Sequence, residues 1–248
     1  MKRAVVCVAT TERYQRGMDR LFHSEFIRNT AINLYNEVPI GCPPHDLKPY
    51  AFKAYAMKYA ADAGADLVLW ADACILPIRS MEPLWEKIER DGYWICRNGF
   101  TNYQWTADSA YPDLFDWPVG GEPNPSLDDM RHINKTIPHV VATSFGLNLR
   151  SDIGRKFIDE YYRLASETRA FCGPWANSAR KDWNLGQPDD RSLVDACGPP
   201  DVLGHRHDQS AASVIAWRLG MQLTDPPEIF AYPPGDERTI LLADGSYQ

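Results

Sequence analysis

The sequence predicts an α/β protein with a mostly parallel central sheet flanked by helices. In the first hundred residues, short apolar runs alternate with segments of helical periodicity, as is typical of parallel strands joined by helices. The apolar run of residues 67–71 ends on a carboxylate, Asp72, where the strand is expected to leave the sheet. With 248 residues, 44% of them hydrophobic and 24% charged, the chain can bury a sizeable core. This length suits one large α/β domain or two small ones.

Each element is predicted from its periodicity and from the residues that bound it. Residues 49–63 form the clearest helix, because Pro49 suits a first turn, Gly64 suits a stop, and the apolar residues between them share one face. Further helices are predicted at residues 81–91, 152–165 and 207–219, and near-helical spacing extends from about residue 17 to 35. Strands are predicted at residues 4–9, 67–71, 93–96 and 140–143.

Two segments have no clear period. Residues 98–138 are rich in aromatic residues and proline, and such a long irregular region is either an active-site lid or a place where elements have been missed. Residues 171–200 are rich in Gly, Pro, Asn and Asp and are predicted to be loop. Aromatic residues in the first segment suit either the binding of a sugar or base ring or ordinary packing. They include Tyr103, Trp105, Tyr111 and Trp117.

Composition argues against several classes of protein. The formal net charge of −7 disfavours a nucleic-acid partner, and no apolar run is long enough to span a membrane. The apolar start ends at Thr10, too early for a signal peptide. The six cysteines form no Cys-x-x-Cys pair, which predicts reduced thiols and a cytoplasmic protein. The sequence also has no Gly-x-Ser-x-Gly turn, no phosphate-binding loop and no Gly-x-Gly-x-x-Gly motif after the first strand.

Asp72 is the first candidate functional residue. A carboxylate at the carboxyl end of a strand in an open α/β sheet lies where such folds bind their ligands. The alternative is that Asp72 caps a turn or the next helix. Lys48 and Lys53 precede this strand, and Lys48 with Pro49 stands at a helix start, where anions are favoured. The alternative for these lysines is solvated surface charge, which fits Lys48 better than Lys53.

Residues 205–210, His-Arg-His-Asp-Gln-Ser, form the second candidate cluster. Asp208 or Ser210 alone would make a good N-cap for the helix that follows. Capping accounts for one residue and leaves His205, Arg206 and His207 unexplained. Two imidazoles and a carboxylate can supply a metal ligand and a general base, which favours a functional site.

These residues resemble the motifs of nucleotide-sugar-dependent glycosyltransferases of the A-type fold (GT-A). The resemblance spans about residues 4–220 and rests on the first strand with Thr10, on Lys48-Pro49-Tyr50-Ala51-Phe52-Lys53, on Leu69-Trp70-Ala71-Asp72-Ala73-Cys74, and on Arg206-His207-Asp208-Gln209-Ser210. That family has a donor-contacting lysine on a helix and then a strand that ends in an Asp-x-Asp motif for Mn²⁺ or Mg²⁺. This sequence departs from the pattern at Cys74, because hard divalent cations prefer oxygen ligands to a thiol.

The resemblance implies a single GT-A-like domain over residues 1–248, which moves a hexose or pentose from a nucleoside-diphosphate sugar to a hydroxyl acceptor. Residues 1–100 would form the nucleotide-sugar-binding half and residues 101–248 an irregular acceptor-side half. It also implies Mn²⁺ or Mg²⁺ on Asp72 and His207, with positive side chains as the alternative to a metal. Asp208 is the implied base of an inverting reaction, whereas a retaining reaction would not need it. The implied donor-binding residues are Thr10, Lys48, Lys53, Asp72 and Ala73, and the implied acceptor-side residues are Trp105, Ser144 and His205.

The acceptor and two other functions stay open. The acceptor is a glycan, a small molecule or a hydroxymethylated DNA base, the last disfavoured by the acidic charge. A nucleotidyltransferase on a similar sheet usually has a Gly-rich stretch after the first strand, and residues 10–14 contain no glycine. A non-catalytic nucleotide- or sugar-binding relative is the other alternative, and Cys74 keeps it in consideration.

Overall fold

The computed structural model describes residues 1–27, 30–116, 125–179 and 197–246. The strands are β1 Arg3–Val8, β2 Ala31–Tyr35, β3 Leu67–Ala71, β4 Ile75–Pro77, β5 Tyr93–Thr101, β6 Pro138–Asn148, β7 Ile229–Ala231 and β8 Thr239–Ala243. The α-helices are α1 Glu12–Phe22, α2 Ala51–Asp62, α3 Glu82–Asp91, α4 Tyr111–Leu114, α5 Leu127–Asn134, α6 Asp152–Glu167 and α7 Asp208–Arg218. Short 3₁₀ helices lie at Glu25–Ile27, Asn102–Trp105 and Asp108–Ala110.

The central sheet has the strand order β2-β1-β3-β6-β5. Strand β1 pairs in parallel with both β2 and β3, and the helices α1 and α2 make the crossovers that parallel pairing requires. Strand β6 runs antiparallel to both β3 and β5. Among the described strands of this sheet, all except β6 therefore point the same way. This confirms the predicted α/β fold with a mostly parallel sheet flanked by helices.

Helices cover both faces of the sheet. Alternate residues of β1 separate between two hydrophobic clusters: Val6 packs with α2, α6 and α7, whereas Val5 packs with α1 and α3. Strand β3 is buried at every position for the same reason, as expected for a strand covered on both faces. The first cluster extends from Ala4 to Met221, so the two predicted halves of the chain share a core.

A second sheet, of order β4-β8-β7, was not predicted from the sequence. Strand β4 is antiparallel to β8, and β8 is parallel to β7. Phe230 and Leu241 bring this sheet into the hydrophobic cluster that also contains α3. Strands β4 and β7 have three residues each, which is too short to show alternation in a sequence.

The near-helical spacing predicted from about residue 17 to 35 is wrong over its second part. Helix α1 begins at Glu12 and ends at Phe22, and residues 31–35 form strand β2. This edge strand has no fully buried residue, so its sequence lacks the alternation that marks a half-buried strand. Strands β5 and β6 also extend well beyond the predicted residues 93–96 and 140–143.

All six cysteines lie in the described ranges, and each is a free thiol. Burial raises the pKa of Cys96 to about 12, so this thiol stays protonated at neutral pH. No helix of the described residues has the length and apolar character needed to cross a membrane.

Candidate active site

Lys53, in the first turn of α2, has its ammonium group enclosed between two carboxylates. Its Nζ lies 3.0 Å from Asp72 Oδ1 and 3.0 Å from Asp208 Oδ2, and it donates a 2.9 Å hydrogen bond to the carbonyl oxygen of Ala142. The Lys53 side chain is only 4% exposed. Burial would lower the pKa of Lys53, but Asp208 and Asp72 together hold it above its ordinary value. A buried positive charge is therefore fixed where α2, β3, β6 and α7 meet.

Asp72 is the first residue after β3, as predicted. Its backbone N–H donates to the carbonyl oxygen of Thr143 at 2.9 Å, which anchors the strand end to β6. The indole N–H of Trp70 donates to Asp72 Oδ1 at 2.8 Å. The Asp72 side chain is 30% exposed. The Trp70 indole and the Lys53 ammonium thus orient the Asp72 carboxylate, which stays partly exposed to solvent.

Asp208 is the first residue of α7, and its side chain is only 4% exposed. Burial raises the pKa of Asp208 to about 6, against the opposing effect of the Lys53 ammonium. Asp208 Oδ2 is enclosed by the protein and pairs with the Lys53 ammonium at 3.0 Å. The carboxylate is therefore held as one member of a buried ion pair.

Aromatic and cationic groups stack beside Asp208, and we call Trp105, Arg206, Trp175 and His207 the guanidinium stack. The Arg206 guanidinium carbon lies 3.9 Å from the ring centroid of Trp105 and 4.0 Å from that of Trp175. The Trp175 and His207 rings are stacked with centroids 5.7 Å apart. Burial lowers the pKa of Arg206 to about 10, and its Nη1 has no hydrogen-bond partner among the described residues. The two indoles therefore hold a guanidinium at the site.

Two residues of the site have backbone conformations that non-glycine residues rarely adopt. Tyr50 has φ of 59° just before α2, and His207 has φ of 44° just before α7. Their rings lie 5.8 Å apart. Such strain persists only where the surrounding structure imposes it, and it is frequent at functional sites.

A cleft of about 470 Å³ opens beside Asp72 at the carboxyl ends of β1 and β3. This size is within the range of small-molecule sites. Its lining combines aromatic rings with a few polar groups. The lining residues are Val8, Thr10, Thr11, Tyr14, Val38, His45, Tyr50, Phe52, Asp72, Ala73 and Cys74.

The structure brings several predicted residues together and places others elsewhere. Lys53, Asp72 and Asp208 form one cluster, and Thr10 and Ala73 line the adjoining cleft. Lys48 instead directs its ammonium to the carbonyl oxygen of Ser166 at 3.3 Å, near the end of α6.

Two predicted acceptor-side residues use their polar atoms inside the protein. The hydroxyl of buried Ser144 donates to the carbonyl oxygen of Trp70 at 2.7 Å. His205 Nδ1 accepts from the backbone N–H of Ala107 at 3.3 Å, and its Nε2 lies 3.0 Å from the carbonyl oxygen of Ala170. Trp105 is in the guanidinium stack, and Trp117 lies outside the described residues.

Four residues of the site have no role assigned from the sequence: Tyr50, Trp70, Trp175 and Arg206. Arg206 stands in the candidate cluster of residues 205–210, and Tyr50 and Trp70 lie in segments that carry the resemblance. Trp70 precedes Asp72 by two residues, and this spacing places both side chains on one face of an extended chain. That spacing is a signal that could have identified Trp70. Trp175 lies in a loop with no periodicity, so nothing in the sequence links it to Arg206.

The donor set does not fit the Mn²⁺ or Mg²⁺ ion implied by the resemblance. Within the described ranges, no three His, Cys, Asp or Glu side chains gather as a metal site. Burial, reinforced by Asp72, raises the pKa of Cys74 to about 12, so its thiol is protonated and a poor ligand for a hard cation. His207 Nδ1 lies 3.0 Å from the carbonyl oxygen of Phe171, which fixes the ring inside the fold. Lys53 already contacts both carboxylates that a metal ion would bridge.

No protein-family model matches this chain, and no curated protein matches it in sequence. Several solved structures that resemble this chain are glycosyltransferases. Mouse xyloside xylosyltransferase 1 is 10% identical, with a TM-score of 0.47 over 98% of this chain and 97% of that one. A glycosyltransferase involved in glycosylation of the major capsid of PBCV-1 is 11% identical, with a TM-score of 0.40 over 71% of this chain and 70% of that one. The galactosyltransferase LgtC is 16% identical, with a TM-score of 0.35 over 91% and 98%.

Proposed function

We propose that this chain is a glycosyltransferase, which moves a sugar from a nucleoside-diphosphate sugar to a hydroxyl acceptor. One observation carries the proposal: Asp72 and Asp208 share the buried ammonium of Lys53 beside a strand-end cleft. Hydroxyl groups of a sugar are recognised by such charged acceptors and donors, because charge-assisted hydrogen bonds are stronger than neutral ones.

The position of the cleft supports a nucleotide-containing donor. In open α/β sheets, ligands bind outside the carboxyl ends of the parallel strands, and this cleft adjoins the ends of β1 and β3. Tyr14, Tyr50 and Phe52 supply ring faces on which a base or a sugar could lie. We assign Thr10, Ala73, Asp72 and Lys53 to donor binding on this basis.

Asp208 is our proposed base for an inverting reaction. The acceptor hydroxyl oxygen attacks the anomeric carbon of the donor, and its proton passes to Asp208. The bond between that carbon and the diphosphate oxygen breaks, and the nucleoside diphosphate leaves with the electron pair. Burial raises the pKa of Asp208 to about 6, so this carboxylate is ionised at neutral pH yet more basic than an exposed one.

The guanidinium stack is our proposed wall on the acceptor side. Trp105 was predicted there from the sequence, and the structure adds Trp175 and Arg206 beside it. Both indoles pack on the guanidinium, and Trp105 and Trp175 also stack with His139 and His207, so this wall is rigid. The His207 ring of this wall lies 5.8 Å, between centroids, from the ring of Tyr50, which lines the cleft.

A panel of nucleoside-diphosphate sugars, incubated with a panel of hydroxyl acceptors, tests the proposal through release of nucleoside diphosphate. We expect one donor to be consumed, and we expect Asp72→Asn and Asp208→Asn to lose that activity. Asp66→Asn is the matched control, since Asp66 precedes the same strand at its opposite end and pairs with Arg150. Failure of every donor to bind or react would contradict the proposal, as would full activity in both variants.

A further inference from the structure

We infer, on the basis of the proposed function, that Lys53 takes the position between Asp72 and Asp208 that a bridging divalent cation would need. The lysine ammonium then replaces the metal ion as the fixed positive charge of this site.

The contacts of Lys53 leave little room for an ion between the carboxylates. Its Nζ lies 3.0 Å from an oxygen of each one, and it also donates to the carbonyl oxygen of Ala142. A Mg²⁺ ion bridging the same two residues would have to lie about 2.1 Å from an oxygen of each. That position overlaps the space that Nζ fills. The ammonium has three N–H donors, and it has three partners: the carboxylates of Asp72 and Asp208 and the carbonyl oxygen of Ala142.

The neighbouring residues do not offer an alternative set of ligands. Cys74, two residues after Asp72, provides a thiol where a second carboxylate would be needed, and thiols suit soft rather than hard cations. Asp72 Oδ1 already accepts a 2.8 Å hydrogen bond from the Trp70 indole, and the same oxygen lies 3.0 Å from Lys53 Nζ. The carboxylate of Asp72 is thus oriented by protein donors.

Burial makes the lysine a permanent part of the site. Its side chain is 4% exposed, and a buried ammonium is costly unless it is paired. Asp72 and Asp208 provide that pairing, so each charge stabilises the others. The ring centroids of Tyr50 and Trp70 lie 5.3 and 5.4 Å from Nζ, which adds cation–π attraction. Moving the Lys53 ammonium aside to admit a metal ion would separate it from Asp72 and Asp208 while it is still buried.

The test is a Mn²⁺ titration of the full chain stripped with EDTA, with free Mn²⁺ measured by electron paramagnetic resonance. We expect no binding by the wild-type protein below a Kd on the order of 1 mM. In Lys53→Met, two carboxylates face each other without a cation, and we expect at least a tenfold gain in Mn²⁺ affinity. We also expect Mn²⁺ to raise the Tm of this variant but not that of the wild-type protein. Lys48→Met is the control, because the Lys48 ammonium donates to the carbonyl oxygen of Ser166 at 3.3 Å, near the end of α6.

Two results would overturn the inference. One is tight Mn²⁺ binding by the wild-type protein that Asp72→Asn abolishes. The other is a folded Lys53→Met variant with no gain in Mn²⁺ affinity. If Lys53→Met does not fold, Lys53→Gln is used instead, since its amide keeps a hydrogen-bond donor while removing the charge. The titration needs no sugar transfer, so its outcome is independent of the donor panel that tests the proposed function. Where transfer is found, it should persist in EDTA.

Discussion

Trp70 donates its indole N–H to the Oδ1 atom of Asp72, which lies two residues further along the chain, at 2.8 Å. Both residues belong to the same strand end, and the ring of Trp70 is fully buried. The donor is therefore rigid, and it sets the direction of the carboxylate that faces the cleft. A carboxylate held in this way loses less conformational entropy when a ligand binds.

Replacing Trp70 with Phe should weaken donor binding while keeping most of the packing. The substitution removes a hydrogen bond to a charged group, which contributes about 1.5–3 kcal/mol. We expect a higher donor KM and a lower free energy of unfolding, measured by urea denaturation. Trp94→Phe is the matched control, because the buried indole N–H of Trp94 has no partner among the described residues. A similar loss in both variants would contradict the role given to Trp70.

Replacing Asp208 with Asn should reduce turnover by about 10²–10⁴-fold, the usual contribution of a general base. In the wild-type protein, kcat/KM should fall as the pH is lowered through about 6, because burial raises the pKa of Asp208 to that value. Removal of the neighbouring cation by Lys53→Met should move this limb of the profile to higher pH, since Lys53 opposes the shift. If the acidic midpoint of the kcat/KM profile is the same in Lys53→Met as in the wild-type protein, Asp208 is not the titrating group.

Three buried histidines should make the fold sensitive to acid. Burial lowers the pKa of His139 to about 3 and that of His205 to about 4, and it places the pKa of His207 well below its ordinary value of 6.5. The unfolded chain therefore binds more protons than the native one below pH 6.5. The stability from these neutral rings is complete above pH 6.5 and is lost as the pH falls towards 4.

This acid sensitivity is best measured in Asp208→Asn. The raised pKa of Asp208 acts in the opposite direction, since its contribution is complete below its ordinary pKa of 3.8 and is lost as the pH rises through about 6. In that background, the free energy of unfolding should decrease steadily from pH 7 to pH 4. A flat profile would show that the three rings are not held neutral.

Replacing Arg206 with Lys should destabilise the fold even though the charge is kept. The planar guanidinium lies about 4 Å from two indole rings, whereas an ammonium cannot stack between them. We expect a loss of about 1–2 kcal/mol in the free energy of unfolding, with a change in tryptophan fluorescence. Arg90→Lys serves as the control, because Arg90 is an exposed residue paired with Asp91. An equal loss of unfolding free energy in both variants would show that the guanidinium stack is not the cause.

The regular elements near the cluster could be predicted because each has a clear pattern and a stop signal. Strand β3 matches its predicted residues, and α2 ends close to Gly64 as expected. Strand β2 could not be predicted, since its edge position leaves it partly exposed on both faces. Lys53, Asp72 and Asp208 could be singled out by residue type and position. Their joint contact depends on α7 docking against β6, which no local pattern reveals.

His205 shows why residue type alone does not assign a role. Its place in a polar run predicted a functional group, but both ring nitrogens face backbone atoms of distant loops. From the sequence alone, a histidine that hydrogen-bonds buried backbone groups cannot be distinguished from one that acts in a functional site. The difference lies in long-range contacts, which residue order does not record.

The partners of Lys53 have a consequence for how the chain reaches its native state. Asp72, Ala142 and Asp208 are 19, 89 and 155 positions away along the sequence, at the end of β3, in β6 and at the start of α7. Contacts between such distant positions form late, because closing long loops is slow. A partly folded chain that lacks α7 would contain this lysine with only one of its two carboxylates. Completion of the charged cluster would then require α7 to dock, so the proposed sugar transfer would depend on contacts that span most of the chain.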